Sequence, residues 1–370
     1  MLTSLKNNAG TILAAWEHNH IKPLAEALGV SSHKIPTWSG SDFDSCYELQ
    51  FDHNQKLTSF KVSAEGYHPH NNAKSPALSY GVNTSNTTLD GQIIIPDQHS
   101  KGNRVIILPA NKHSWVESDI LWEWPVSVSI KSWGKHISDA RRVSYNDTDH
   151  ILVAGSSGGL ALVEVITKKL VYWNTPSGTP HAAALLPDDL IAIANPADSG
   201  GGKPSVQLFD MRLGNNKPHV QELDQGGCHG IVFDSQNKCV WAWGGSSLHR
   251  YAYHNRKLSP AGKFSPPSSW NAGGGHALAS METNKLLLSY NGGLAIFDTD
   301  TQEFSHYNTK VGGSTKGVSY NPHTKEVIYC HEDHDTGDSR SHYVHSVQDK
   351  DRSLKDGVWY RARWYYYNNL

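Results

Sequence analysis

Apolar positions along this chain fall into short runs that recur at near-regular intervals. Five segments share one pattern: a polar residue, an apolar stretch, a short polar turn and a second apolar run. They are Arg141-Arg-Val-Ser…Ile151-Leu-Val-Ala, His181-Ala-Ala-Ala…Ile191-Ala-Ile-Ala, His229-Gly-Ile-Val…Val240-Trp-Ala-Trp, His276-Ala-Leu-Ala…Leu286-Leu-Leu-Ser and Lys316-Gly-Val-Ser…Val327-Ile-Tyr-Cys. The turns carry residues that tolerate tight backbone geometry: Asn146-Asp, Pro187-Asp-Asp, Asn237-Lys, Asn284-Lys and Pro322-His-Thr-Lys. In the first four units a third apolar strand follows, at Leu160–Val163, Val206–Asp210, Leu248–Tyr253 and Leu294–Asp298, and a more polar fourth strand follows in most. Units of ~40–50 residues with four strands each predict the blades of a β-propeller. Gln92–Ile95 and Val105–Leu108 supply an earlier blade, and the Trp359–Tyr365 segment is expected to complete the last one, beside a strand of the first. The prediction is mainly β, with six blades, or seven should the termini supply one more.

The first 75 residues follow a different pattern. Thr11–Glu17 predicts a buried strand, Asn19–Leu28 a helix stopped by Gly29, and Tyr47–Phe51 and Leu57–Val62 two further strands. This small α/β fragment occupies residues 1–75. Residues 76–87 read as a linker, and 88–370 as the propeller. The stretch Ile12-Leu-Ala-Ala-Trp-Glu-His18-Asn-His-Ile, with Trp38-Ser-Gly-Ser-Asp-Phe-Asp44, resembles the C-terminal part of the histidine phosphatase (phosphoglycerate-mutase-like) superfamily. The resemblance implies that His18 matches the second active-site histidine. The Arg-His-Gly motif that carries the nucleophile in that family does not occur in the chain. Without it no phosphohistidine forms, so phosphatase activity is not expected.

The propeller region resembles an uncharacterised family of bacterial and fungal propellers. The matching segments are Asp149–Val163, the Pro180-His-Ala-Ala-Ala-Leu-Leu-Pro-Asp motif and the closing Ala362-Arg-Trp. That resemblance implies a fold and no established activity.

Charge narrows the partners. A net charge of -2 argues against broad electrostatic binding to nucleic acid or to an anionic membrane. No apolar run nears the ~18 residues of a membrane helix. No secretory leader is recognised at the N-terminus, and the four scattered cysteines, Cys46, Cys228, Cys239 and Cys330, form no CxxC pair. Both features lead to an expectation of a cytoplasmic protein with buried thiols, extracellular only if the N-terminus is mis-assigned. P-loop, G-x-S-x-G, H-E-x-x-H and dinucleotide fingerprints are all missing from the sequence.

The chemistry that remains sits at the first position of each repeat: Arg141, His181, His229, His276 and Lys316. Innermost propeller strands line a central channel, so equivalent positions are expected to form a ring at one height. Each His or Lys is followed by Ala or Gly, which leaves room for close packing near the axis. Three readings follow. Neutral imidazoles of His181, His229 and His276 could bind a divalent metal such as Mn, Zn or Ca. Alternatively, Arg141 and Lys316 hold a carboxylate while a histidine moves a proton, a design that resembles propeller polysaccharide lyases acting on uronic acids. The third reading is structural, with ring side chains bound to loop carbonyls. Trp241, Trp243, Trp270 and Tyr290 read as core residues between blades, and His331-Glu-Asp-His-Asp335 as a solvated loop tip. The expected function is binding of a small anionic or carbohydrate ligand in the axial funnel, with uronate lyase activity as its enzymatic form. A scaffold for protein partners is the competing class.

Overall fold

The recurring apolar runs form the strands of six small sheets arranged in a ring, a six-bladed β-propeller. The computed structural model describes residues 18–31, 35, 45–52, 56–64, 91–98, 103–126, 136–146, 148–196, 202–270, 272–282, 284–308, 311, 314–332 and 340–366. The chain divides into two units. One holds Met1–Leu89 with Tyr145–Thr148, the other Asp90–Ser144 with Asp149–Leu370. Among the described residues, no helix is long and apolar enough to cross a membrane.

In the smaller unit, α1 (His18–Ala27) ends at Gly29, whose φ of 103° only glycine adopts without strain. The Val30 amide then closes back onto the Ala25 carbonyl. Strands β1 (Ser45–Phe51) and β2 (Leu57–Ala64) pair antiparallel, and Tyr47 packs edge-on to Phe60. Ala25, Val30 and Ile35 are the buried centre of this unit. The predicted strand at Thr11–Glu17 and the Trp38–Asp44 match lie outside the described residues. His18 opens α1.

In the larger unit, blade 1 contains β3 (Gln92–Asp97), β4 (Arg104–Pro109) and β6 (Trp122–Pro125). Blade 2 is built from β7 (Ile137–Tyr145), β8 (Thr148–Gly155), β9 (Gly159–Glu164) and β10 (Leu170–Asn174). Blade 3 follows with β11 (Ala182–Leu186), β12 (Leu190–Asn195), β13 (Ser205–Asp210) and β14 (Gln221–Asp224). Blade 4 has β15 (Cys228–Asp234), β16 (Cys239–Gly244), β17 (Ser247–His254) and β18 (Lys257–Phe264). Blade 5 has β19 (Leu278–Glu282), β20 (Lys285–Tyr290), β21 (Gly293–Asp298) and β22 (Glu303–Asn308). Blade 6 is three-stranded, with β23 (Thr315–Tyr320), β24 (Val327–His331) and β25 (His345–Ser346).

Strands near the middle of a blade are buried on both faces, because neighbouring blades cover them. β12 is buried at every position, and β16 likewise. That is why they read as continuous apolar runs instead of alternating ones. Outer strands such as β18 and β22 meet solvent and are mostly polar. The hairpin turns behave as their composition requires. Asn146, Asp188, Asp189, Lys238, Asn284 and Lys325 all adopt left-handed backbone conformations. Trp241 and Trp243 are fully buried between blades 4 and 5, where the Trp243 indole donates to the Ser289 carbonyl. Tyr290 is buried in the same cluster, with Trp270 packed against it half-buried. Cys228, Cys239 and Cys330 are buried free thiols.

The closing strand, β27 (Arg363–Trp364), lies beside a strand of the first blade as expected, but it belongs to that blade's sheet and does not extend the last blade. It pairs antiparallel with β3, Arg363 opposite Ile94 and Trp364 opposite Ile93, and so forms the innermost strand of blade 1. The C-terminus thereby closes the ring. A second tie joins β5 (Ser114–Trp115) to β26 (Ser353–Leu354) in parallel. Close packing at the centre depends on small residues there. A Cβ added to Gly317 would lie 2.8 Å from the Arg361 Cα, and one on Gly230 would lie 2.7 Å from the Leu278 Cβ.

Candidate functional site

The site is built by irregularities at the start of the inner strands. In β15 the register shifts between Cys228 and Gly230, which leaves His229 outside the ladder. In β23 it shifts between Thr315 and Gly317, which leaves Lys316 outside. A bulged residue has no partner in its own sheet, so its side chain and carbonyl are free to turn elsewhere. Here both find partners near the axis.

The side chains make a continuous chain of contacts around the ring. Tyr360 lies edge-on to His181 at 5.4 Å, His181 to His229 at 4.7 Å, and His229 to His276 at 4.7 Å. The Lys316 ammonium is 3.3 Å from His276 Nε2 and 3.5 Å from a Glu332 carboxylate oxygen. His181 Nδ1 donates to the Thr179 carbonyl at 2.6 Å, and His229 Nδ1 to the Gly227 carbonyl at 2.7 Å. Those bonds place the proton on Nδ1 and leave Nε2 as the acceptor. His276 accepts from Lys316 at Nε2, which places its proton on Nδ1, an atom without a hydrogen-bond partner.

Burial, and then the positive charge of Lys316, push His276 down to about 2. Burial likewise holds His181 well below its ordinary value, with His229 and Arg361 adding to the effect. Burial also lowers Lys316, against the opposing pull of Glu332. His181 and His276 are therefore neutral imidazoles, beside the Lys316 ammonium.

Arg361, wholly buried, closes the channel behind this ring. Its Nε donates to the Lys316 carbonyl, Nη1 to the His181 carbonyl, and Nη2 to the carbonyls of His229 and His276, all at 2.8–3.0 Å. One guanidinium thus satisfies four ring residues. Beyond it lies Asp139, which is 2.6 Å from Arg363 Nε, 2.7 Å from Arg141 Nη2 and 3.8 Å from Arg361 Nη1. Burial alone would raise the Asp139 carboxyl, but Arg363, Arg141 and Arg361 outweigh it and hold the group below the usual carboxylate range. Three guanidinium groups share this one carboxylate, and backbone carbonyls take up donors that it cannot.

The structure brings His181, His229, His276 and Lys316 together and leaves Arg141 out. Ser138 Oγ donates to the carbonyl of Pro180, next to His181, so Ser138 comes level with the ring in blade 2. Arg141 is three residues further along β7, where it donates to the Ile231 carbonyl and pairs with Asp139. Arg141-Arg-Val-Ser resembles the other units more closely than Ser138-Asp-Ala-Arg does, so repeat spacing alone points to Arg141. Arg361, Arg363, Asp139, Tyr360 and Glu332 complete the site, and repeat spacing does not mark them. The alternating Tyr360-Arg-Ala-Arg in the closing strand was the available signal, because residues two apart share a strand face. Glu332 belongs to the segment read as a solvated tip, whose residues 333–335 lie outside the described ones. Among the described residues, no three His, Cys, Asp or Glu side chains are grouped to hold a metal ion.

A propeller closed by its own C-terminal strand, with a polar ring at the axis, is the class of protein these features define. The chain belongs to a family of unknown function (DUF6528), which matches residues 94–306, from blade 1 through blade 5. No curated protein matches it. Among solved structures, the chain is similar to Kuenenia stuttgartiensis hydrazine synthase, with 13% identity and a TM-score of 0.41. That likeness covers 54% of this chain and 56% of the other.

The neutral histidines carry a prediction about pH. His276 takes up its proton near 6.5 when unfolded and near 2 when folded. Its full contribution to stability is therefore present above pH ~6.5 and is lost progressively as pH falls below that, by up to ~1.4 kcal/mol per pH unit. His181 acts in the same direction. Urea unfolding of the wild type between pH 7.5 and 5 is expected to show this slope, and His276→Gln to flatten it by about one histidine's share. Equal slopes would show that His276 takes up its proton to the same extent folded and unfolded, and so is not held neutral by the fold.

Proposed function

We propose that the ring of His181, His229, His276 and Lys316 is a binding face for a small anionic or carbohydrate ligand, a uronate sugar being the form that uses all of it. The observation that carries this reading is the placing of charge. Lys316 sits in the ring, and three guanidinium groups sharing one carboxylate lie behind it. That field favours a carboxylate over a divalent cation. The imidazole Nε2 atoms of His181 and His229 accept hydrogen bonds, which suits sugar hydroxyls, while the Lys316 ammonium supplies a cation for the acid group. The lyase form of the reading requires a base for the proton α to that carboxylate. A ligand carboxylate beside the ring would raise the depressed imidazoles and supply one.

The test is calorimetric titration with oligogalacturonate against a neutral galactan of matched length. Preferential binding of the acidic glycan, weakened about tenfold or more in Lys316→Met, is the expected result. An unsaturated product absorbing in the ultraviolet would add lyase activity. A stoichiometric transition metal in the purified protein, lost in the His181→Ala/His229→Ala/His276→Ala variant, would overturn the reading in favour of a metal centre. No glycan binding, with that variant changing stability alone, would favour the scaffold class. The phosphatase resemblance around His18 rests on sequence similarity alone and forms no part of this proposal.

A further inference from the structure

A cavity of 260 Å³ opens at the ends of the inner strands opposite the ring. Its walls come from blades 2, 3 and 4 at the far ends of β7, β11 and β15, with Arg141, Arg142, Ser144, Leu186, Phe233 and Ser235 among them. The ring residues lie where these strands begin. At ~3.3 Å per residue, His181 and Leu186 are roughly 15 Å apart. Arg361 and the Asp139 cluster stand between the two ends of the channel.

The two arginines of the cavity differ. Arg142 is matched in charge by Asp149, which takes bonds from both its Nε and Nη2, and its guanidinium stacks over the Tyr365 ring. Arg141 is 4% exposed, and the one carboxylate it pairs with among the described residues, Asp139, is shared with Arg363 and Arg361. Its Nε makes no hydrogen bond. A buried guanidinium with a donor unused, and only a share in one carboxylate, is stabilised by an anion brought beside it. Most of the remaining wall is apolar, from Val143, Ala184, Leu185, Leu186, Pro187 and Phe233. The two serines lie exposed on the wall. A cavity just below the ~300–1,000 Å³ of drug-sized sites takes a small ligand.

We propose that this cavity is a binding site for a small organic carboxylate with an apolar body, its acid group beside Arg141 and its body against Leu186 and Phe233. The mixture of one undercompensated cation and apolar walls selects that class over inorganic phosphate, whose oxygens would face hydrocarbon. The site stands apart from the ring and does not depend on what the ring binds.

Benzoate is the probe, with benzamide as its uncharged counterpart, followed by calorimetry or ligand-observed NMR on the full chain. Saturable one-site binding of benzoate is expected, with benzamide weaker by about tenfold or more. Ser144→Trp and Ser235→Trp fill the cavity from exposed positions without touching the charged column, and each is expected to weaken benzoate about tenfold. Lys316→Met, in the ring, is expected to leave it unchanged. The proposal is overturned by absence of saturable binding at roughly 10 mM, or by equal binding of benzamide. It is equally overturned if both tryptophan variants bind as the wild type does. Loss of benzoate in Lys316→Met alone would move the probe to the ring, sinking the cavity proposal while supporting the ring as an anion site.

Discussion

Arg361→Met is expected to be the most damaging single substitution in the propeller. Methionine keeps an unbranched apolar stem but removes every donor from the axis. The carbonyls of Lys316, His181, His229 and His276 then lose their shared partner. Removing one partner from a buried charged network costs about 3–5 kcal/mol. A domain holds ~5–15 kcal/mol in all, so the variant should unfold at much lower urea or accumulate as insoluble protein. The four carbonyls belong to blades 3, 4, 5 and 6, while Arg361 stands two residues before the closing strand of blade 1. Loss of the guanidinium therefore also loosens the join between the chain's end and four blades at once. Arg361→Lys is expected to fall between, because three ammonium donors cannot reproduce a planar fork that reaches four acceptors. A measured change below about 1 kcal/mol for Arg361→Met would show that water replaces the guanidinium at the axis.

Asp139→Asn is expected to cost nearly as much, for the opposite reason. The substitution preserves shape and removes one negative charge. Arg141, Arg361 and Arg363 would then face one another without a carboxylate among them. Uncompensated buried charge carries the same ~3–5 kcal/mol penalty. The diagnostic feature is rescue: chloride or sulfate at high concentration should recover part of the loss in Asp139→Asn and much less in Arg361→Met. Urea unfolding in matched salts reads this directly. Equal salt responses in the two variants would mean that the loss in Asp139→Asn is one of hydrogen bonding and not of charge.

The two variants also bear on function differently. Arg361 holds the backbone of the ring residues, so its loss disperses the ring. Asp139 lies behind Arg361 and moderates the positive field felt at both ends of the channel. An Asp139→Asn protein that still folds in high salt should bind anionic ligands at the ring more tightly than the wild type.

Much of this architecture is written in the order of residues. Runs such as Leu190–Asn195 and Cys239–Gly244 are apolar at consecutive positions because each is covered by a blade on either side. Turns need residues that accept left-handed geometry, and Asn146, Asp188 and Asn284 stand where it occurs. Those two demands are local, and together they specify strands, spacing and blades. His181, His229, His276 and Lys316 could be aligned for the same reason, since each stands at or just before the start of an inner strand that runs into such a turn.

What the tertiary structure alone decided is everything that depends on contacts across the ring. Arg361 meets residues 45 to 180 positions away, and nothing near it in sequence identifies four carbonyls as its partners. Arg141 reads as a ring member by repeat alignment, yet the strand carries it past the ring to Asp139 and the Ile231 carbonyl. Glu332 reads as part of a charged tip until β24 brings it to Lys316. The closing strand is legible as a neighbour of the first blade, but that it joins that blade's sheet and not the last one is decided by its hydrogen bonds to β3. Hydrophobic periodicity reports which face of an element is covered. It does not report which distant element covers it, and buried charge is matched only by groups that folding brings together.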